Sequence, residues 1–106
     1  MSVSGPNGDG PVFKILTAAQ WESRVDAVPW APIDVSDGFL HLSAAHQLQQ
    51  TLALHFAGQR DLVIVSLDPA RIPDLRWEES RGGALFPHAY GPTPLDAVVA
   101  IEVRLG

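Results

Sequence analysis

The run from Asp61 to Leu67, DLVIVSL in one-letter code, is the feature that most restricts how this chain folds. It is almost continuously apolar, and Asp68-Pro69 ends it. A strand with one face in water would alternate apolar and polar residues, and this run does not. It is typical of a β-strand that is covered on both faces. The rest of the chain must therefore supply elements that pack against both sides of one sheet.

Two helices are predicted, one on each side of a short strand. Thr17 and Gln20 form a capping box that begins the first helix, and Pro29 ends it. Ser43 caps the second helix, and Gly58 supplies its left-handed exit. Apolar spacing predicts the buried stripe of each helix. These stripes are Ala18, Trp21, Val25 and Val28 in the first helix, and Leu48, Leu52, His55 and Phe56 in the second.

Strands and loops fill the rest of the chain. Trp30–Asp37 is predicted to be an irregular loop, with Trp30 packed on the core rather than guarding an opening. Pro87 has no N–H for a ladder, so Phe86–Tyr90 is predicted at an edge or rim. Because two helices cannot cover both faces of a regular doubly wound sheet, the order predicts an α+β fold with small mixed or largely antiparallel sheets. Strands are predicted over Val12–Leu16, Gly38–Leu42, Asp61–Leu67 and a half-buried Ala97–Leu105, with a shorter one over Leu75–Glu78.

Composition limits the class of protein. The formal net charge is −5 and the seven Lys and Arg residues are scattered, so the chain lacks the clustered positive charge of a nucleic-acid binder. It has no cysteine, no apolar run of membrane-spanning length and no signal-peptide pattern, so we expect a cytoplasmic protein without disulfides. Residues Met1–Gly10 are predicted to be a disordered tail, and 11–106 a single domain. We expect a monomer or a weak dimer that binds a small molecule.

The segment from Asp37 to Ser43 is the first candidate for a functional site. Side chains on a strand alternate between faces, so its two leucines share one face and Phe39, His41 and Ser43 share the other. A polar pair on the non-aliphatic face can line a cleft, which makes His41 and Ser43 candidate ligand contacts. The alternative is that His41 is a core histidine that donates a hydrogen bond to a backbone carbonyl.

The segment from Pro87 to Pro92 is the second candidate. Its prolines restrict the backbone, and a rigid backbone that presents His88 and Tyr90 is suited to a binding or catalytic site. The alternative is a structural turn whose rings only pack. Because the leucines of the first candidate segment must face the core, His41 faces away from it. We therefore predict that His41 and His88 line the same cleft.

Charged residues complete the candidate site. Glu78 follows Trp77, where desolvation would raise the pKa of its carboxyl as acid–base catalysis requires; the alternative is a solvated acidic loop. Lys14 lies in the middle of the first strand, so its side chain must reach water or an anion. Arg76 is a second candidate for contact with an anionic ligand. A metal-dependent hydrolase is a third alternative, with His41, His88 and Glu78 as conceivable ligands. No pair of histidines shows helical metal-ligand spacing, however, so no metal site is predicted.

Several linked motifs occur along the chain in one order. They are Trp21 in the first helix, the stretch Asp37–Ser43, and the segments Leu62–Arg71, Leu75–Glu78, Phe86–Pro92 and Leu95–Val98. With these motifs, the chain resembles a family of small bacterial proteins, the domain of unknown function 952 family, from Val12 to Val103. The resemblance implies a fold similar to the ADP-ribosyltransferases, in which two small sheets meet at a cleft that holds NAD in the enzymes. Family members often carry a histidine in the opening strand, where this chain has Lys14.

The resemblance also implies roles for the candidate residues. In an enzyme of the ADP-ribosyl-transfer type, NAD would lie across the cleft, and His41 and Ser43 would hydrogen-bond its ribose or carboxamide. Tyr90 would stack on the nicotinamide. Glu78 would hold a ribose hydroxyl and stabilise the developing oxocarbenium charge, and His88 is the second candidate catalytic residue.

The alternative function is a non-catalytic module that binds a small metabolite, either an anion or a nucleotide. The same side chains would then serve as ligand contacts. Lys14 or Arg76 would neutralise the negative charge of the ligand.

Overall fold

The computed structural model describes residues 10–104, which form two antiparallel sheets and three short α-helices. This architecture confirms the predicted α+β class. None of the described helices is long and apolar enough to cross a membrane. Positions 1–9 of the predicted tail lie outside the described residues. In chain order the elements are β1 (Val12–Thr17), α1 (Ala18–Glu22), α2 (Pro32–Asp37), β2 (Leu40–His41), β3 (Ser43–Ala44), α3 (Leu48–His55), β4 (Leu62–Leu67), β5 (Leu75–Glu79), β6 (Leu85–Ala89) and β7 (Val98–Arg104).

The apolar run forms β4, which lies inside a four-stranded sheet of order β3-β1-β4-β7. Its apolar side chains are buried on both faces, as predicted. Val63, Val65 and Leu67 belong to the main core. Leu62 and Ile64 belong to a second apolar cluster against which α3 packs. The strand therefore joins the two halves of the hydrophobic interior.

β6 is the central strand of a three-stranded sheet of order β2-β6-β5, so the prediction that Phe86–Tyr90 runs along an edge is wrong. The carbonyl of Pro87 accepts a hydrogen bond from the N–H of Leu42 at 3.1 Å. In a strand, the nitrogen and the carbonyl of one residue point to the same side. The nitrogen of Pro87, which has no N–H, therefore faces the β2 side of β6, next to the end of that strand. The pairing of β6 with β5 on the other side is not interrupted at Pro87.

The first helix is shorter than predicted. The Thr17–Gln20 capping box is present, but α1 ends at Glu22. Val25, which was expected in the buried stripe, is 86% exposed. The chain is extended beyond this point because Ala27 forms a β-bridge with Pro94 and the N–H of Val28 donates to the carbonyl of Thr93. Long-range pairing therefore overrides the local helical spacing. Trp30 packs against the main core, as predicted.

A helix replaces the loop that was predicted over Trp30–Asp37. α2 begins at Pro32, whose fixed φ suits the first helical position. It ends at Gly38, which has a left-handed φ of 84°. Two helix signals were therefore present in the sequence, but the segment between them is too short to show an apolar period.

The strand predicted from Gly38 to Leu42 is divided between the two sheets. β2 joins the small sheet and β3 joins the large one. Leu40 and Leu42 are buried in the main core, as predicted. Ser43 lies in β3 and does not cap a helix: a short 3-10 turn over Ala45–Gln47 precedes α3. That prediction is wrong because pairing with β1 holds Ser43 in an extended conformation.

The inner face of α3 is close to the predicted one. Leu48, Leu52 and Phe56 pack against the second apolar cluster, whereas His55 is exposed. Gly58 adopts a left-handed φ of 78° beyond the end of the helix, as expected.

The last strand is less buried than its alternation predicted. β7 is an edge strand, and no described element covers its outer part. Val99, Ile101 and Val103 are therefore 61%, 48% and 54% exposed.

Candidate functional site

A cleft of 580 Å³ opens beside the small sheet. Its volume lies in the range of small-molecule sites. Four elements supply eight of its lining side chains: β2 and β6 of the small sheet, β1 of the large sheet, and α3. They contribute His41, Phe86, His88, Phe13, Lys14, Ile15, Thr51 and His55.

His41 and His88 meet on this cleft, as predicted. They are directly paired residues of β2 and β6, so their side chains lie on the same face of the small sheet. Their ring centroids are 5.7 Å apart, in an edge-to-face arrangement. Phe39 packs against both, with its ring centroid 4.5 Å from that of His41 and 4.1 Å from that of His88. Two imidazoles that are distant in sequence therefore reach one ligand-sized space.

Asp34 of α2 is completely buried and holds His41 in place. Its Oδ1 accepts a hydrogen bond from the backbone N–H of His41 at 3.0 Å and lies 2.6 Å from Nδ1 of the ring. Its Oδ2 accepts from Nζ of Lys14 and from the backbone N–H of Ala31, both at 2.7 Å. These contacts fix the carboxylate, and the carboxylate in turn fixes the orientation of the His41 ring.

Lys14 reaches an anion, and that anion is Asp34. Their side chains are 5% and 0% exposed. Burial lowers the pKa of Lys14, although the charge and hydrogen bond of Asp34 offset part of this effect. Burial alone would raise the pKa of Asp34, but the hydrogen bonds from His41 and the charge of Lys14 lower it overall. The Lys14 ammonium is therefore neutralised inside the protein before any ligand arrives.

The second ring nitrogen of His41 also faces a carboxylate. Nε2 lies 3.0 Å from Oδ2 of Asp37, the last residue of α2. An imidazole donates from both nitrogens only when both carry a proton. Asp34 and Asp37 therefore each accept a hydrogen bond from the ring when both of its nitrogens carry a proton, and a doubly protonated imidazole is the form that acts as a general acid.

His88 is bound by one carboxylate rather than two. Its Nδ1 lies 2.7 Å from Oε1 of Glu78, and the same oxygen accepts a hydrogen bond from the Tyr90 hydroxyl at 2.6 Å. Among the described residues, Nε2 of His88 has no hydrogen-bond partner. A neutral ring that donates Nδ1–H to Glu78 has its lone pair on Nε2, and that is the form that acts as a general base.

Glu78 contacts His88 from outside the lining of the cleft. The expectation that desolvation beside Trp77 raises its pKa is wrong. The side chain of Glu78 is 37% exposed, and hydrogen bonds from Tyr90 and His88 lower the pKa of its carboxyl. Glu78 is therefore ionised and orients the ring of His88.

Removing the Tyr90 hydroxyl by Tyr90→Phe is expected to raise the pKa of Glu78 toward its ordinary value of 4.5. The reason is that a hydrogen bond to the charged form of a carboxyl lowers its pKa. In the natural protein, the stability linked to Glu78 is present above pH 4.5 and lost as the pH falls through the lower folded-state pKa. Carboxyl ¹³C NMR titrations of both proteins would measure the change, with the Glu79 signal as an internal control. An unchanged Glu78 titration in Tyr90→Phe would contradict the assigned hydrogen bond.

Tyr90 and Arg76 do not line the cleft. The guanidinium of Arg76 lies 4.4 Å from the centroid of the Tyr90 ring, and its Nε donates to Asp74 at 2.9 Å. Phe39 packs on the same tyrosine, with ring centroids 5.2 Å apart. The structure therefore gives Tyr90 the role of a hydrogen-bond donor to Glu78 and pairs Arg76 with a carboxylate of its own.

Ser43 does line the cleft, although it belongs to the other sheet from His41. Its Oγ is 3.1 Å from Oγ1 of Thr51, which also donates to the carbonyl of Gln47. The two hydroxyls form a polar patch beside the histidines. Within residues 10–104, no group of three or more His, Asp or Glu side chains is arranged to hold a metal ion.

Sequence reasoning missed Asp34 and Asp37, the two carboxylates that hold His41. Both lie in the segment that was predicted to be a loop. Pro32 followed by Asp34 is a helix-start signal, and Asp37-Gly38 is a helix-end signal. A helix read from these signals would have placed two carboxylates next to the strand of His41. The pairing of Lys14 with Asp34 has no local signal, because twenty residues separate them.

Comparisons with known proteins identify relatives of this chain. The family described as Protein of unknown function (DUF952) matches residues 15–101. The crystal structure of protein CC0527 from Caulobacter crescentus is similar, with 38% sequence identity over 88% of this chain and 84% of that one and a TM-score of 0.83. The solution NMR structure of CC0527 gives 39% identity over 87% and 82% of the chains and a TM-score of 0.71. No protein with a curated description matches.

Proposed function

This chain belongs to the DUF952 family. We propose that it is an enzyme that breaks an N-glycosidic bond, the kind of bond that ADP-ribosyl-transfer enzymes break, at the face of the cleft that His41 and His88 share. One observation carries the proposal. Two imidazoles, each bound through Nδ1 to a carboxylate, have ring centroids 5.7 Å apart on one cleft. Paired titratable groups with different surroundings are the usual basis for one general acid and one general base.

The different surroundings of the two histidines assign their roles. In its neutral form with Nδ1–H donated to Glu78, His88 has a lone pair on Nε2, and in this mechanism that atom removes a proton from the attacking hydroxyl or water. The attacking oxygen forms a bond to the anomeric carbon of the sugar as the bond from that carbon to the leaving nitrogen breaks. In this mechanism Nε2–H of His41 exchanges its contact with Asp37 for one with the leaving base and donates its proton to a neutral leaving base. A leaving group that is already cationic departs neutral and needs only a hydrogen bond from His41.

The carboxylates around the histidines favour the charge that develops in such a reaction. The sugar acquires positive oxocarbenium character as the leaving group departs, and fixed negative groups near it lower the barrier. Asp37 lines the cleft, and Glu78 lies next to His88. In this mechanism Glu78 and Tyr90 are positioning residues that act through His88 and do not contact the substrate.

The proposal retains the ADP-ribosyltransferase-like fold, which two small antiparallel sheets beside one cleft support. The resemblance implies NAD as the donor, and its nicotinamide riboside half matches the histidines and the Ser43–Thr51 hydroxyls in chemistry. The pyrophosphate of NAD has no unpaired cationic side chain to bind among the described lining residues. Lys14 is the one Lys or Arg among them, and it is paired with Asp34. NAD therefore fits only in part, and the mechanism above depends on the glycosidic bond alone.

Release of free base tests the proposal. The natural protein would be incubated with NAD, nicotinamide riboside and the four common ribonucleosides, and chromatography would detect any free nicotinamide or nucleobase. The proposal predicts release from at least one of these N-glycosides. Binding without release would instead support the non-catalytic module.

A further inference from the structure

Positive charge is scarce in the cleft. Among the described lining residues Lys14 is the one Lys or Arg, and its Nζ donates to Asp34 and to the carbonyl of His41. Its ammonium is paired with the buried carboxylate of Asp34, so its positive charge is already compensated when a ligand arrives. Three imidazoles also line the cleft, but carboxylates already bind His41 and His88, and His55 is exposed. A phosphate group would therefore find no free, permanent positive charge among these residues.

Negative features of the cleft disfavour a phosphate further. The carboxylate of Asp37 is part of the lining. His55, the last residue of α3, lines the cleft, and a helix carries a partial negative charge at its C-terminus. Thr17 and Gln20 at the start of α1 also line the cleft, but their N–H groups are used by the capping box, and the N–H of Ala18 donates to the carbonyl of Asp61.

The rest of the lining suits an uncharged ligand with a flat ring and hydroxyl groups. Phe13, Phe56 and Phe86 offer aromatic surface for a ring. The Oγ of Ser43, which lies 3.1 Å from Oγ1 of Thr51, is an uncharged acceptor for a sugar hydroxyl.

We infer that the cleft selects an uncharged nucleoside over the phosphorylated form of the same compound, and over NAD. The inference rests on the proposed function for the N-glycosidic bond and adds the class of substrate. A nucleoside brings a planar base, sugar hydroxyls and the scissile bond, and places no anion beside Asp37.

Matched ligand pairs test the inference. ¹⁵N-labelled protein would be titrated separately with each ligand, and the NMR shifts would give each Kd. The Kd of adenosine, guanosine, cytidine and uridine would each be compared with that of the corresponding 5′-monophosphate. The Kd of nicotinamide riboside would be compared with that of NAD. At least one nucleoside is expected to bind about fivefold or more tightly than its monophosphate, the factor expected for one unfavourable charge contact. A monophosphate or NAD that binds more tightly than its uncharged partner would overturn the inference.

A charge added to the cleft should reverse the preference. Ile33 lines the cleft and is 56% exposed, so Ile33→Lys places an ammonium there without disturbing the core. This variant is expected to bind the monophosphate about fivefold more tightly than the natural protein does. Leu54→Lys is the matched control, because Leu54 is 58% exposed and does not line the cleft. Equal responses of the two variants would overturn the assignment of the effect to this cleft.

The outcomes separate the inference from the proposed function. Release of nicotinamide from NAD, with no nucleoside bound or cleaved, would overturn the inferred preference for an uncharged nucleoside. It would leave the proposed cleavage of an N-glycosidic bond supported. No binding and no release with any tested N-glycoside would overturn both.

Discussion

His88→Asn is expected to lower kcat/KM for base release by about 10²–10⁴-fold, the usual contribution of a general base. Asparagine has a similar size and can still hydrogen-bond Glu78, but it has no basic nitrogen at the position of Nε2. Ligand binding should change much less than the rate, because the cleft wall is kept. The measurement is the rate of base release on the best substrate from the panel, with Kd determined in parallel by NMR.

His46→Asn is the matched control for this substitution. His46 is exposed and does not line the cleft. It should therefore retain the natural rate. A His88→Asn protein that keeps its fold and its rate within about threefold would show that His88 is not the base, since a general base contributes far more than this.

Asp34→Ala is expected to destabilise the protein by about 3–5 kcal/mol, the usual effect of breaking a buried ion pair from one side. The substitution leaves the buried Lys14 ammonium without its partner and removes the acceptor for the backbone N–H of His41. Urea denaturation followed by circular dichroism would measure the free energy of unfolding. Because the pKa of Asp34 is lowered, its contribution is present above its ordinary value of 3.8 and is lost as the pH falls below it.

The double variant Asp34→Asn with Lys14→Met keeps this test informative if Asp34→Ala does not fold. It removes both charges, so no unpaired ammonium remains inside the protein. It is expected to be more stable than either Asp34→Asn or Asp34→Ala alone. A loss of less than about 1 kcal/mol in Asp34→Ala would contradict the described network, because that is the range of an exposed ion pair.

Local patterns predicted the elements that local forces determine. The apolar run of β4, the Thr17–Gln20 capping box and the leucines of the Gly38–Leu42 segment all lie where the sequence indicated. The joint position of His41 and His88 was also predictable, because burial of those leucines leaves one face for His41.

Long-range contacts account for most of the errors. Pairing of Ala27 with Pro94 shortens α1, and pairing of Ser43 with Phe13 replaces a predicted cap with a strand. The prediction that Phe86–Tyr90 lies at an edge was wrong. A proline fits a central strand when its nitrogen faces a side where no ladder hydrogen bond is needed, as that of Pro87 does. No local pattern specifies that direction.

The sequence predicted the two histidines of the site but not the carboxylate contacts that surround them. Asp34 and Asp37 lie in a helix too short to show a period, and the hydrogen bonds of Glu78 depend on the register of β5 with β6. The proposed acid and base roles of the two imidazoles depend on such hydrogen bonds, which become visible only in three dimensions.

The central claim is that His41 and His88 contact one ligand in one cleft. It is tested most directly by following the imidazole NMR signals of the four histidines while the best-binding nucleoside is added. The account predicts that the signals of His41 and His88 shift together with one shared Kd, while that of His46 remains unchanged. Different Kd values for His41 and His88, or a response confined to His46, would contradict it.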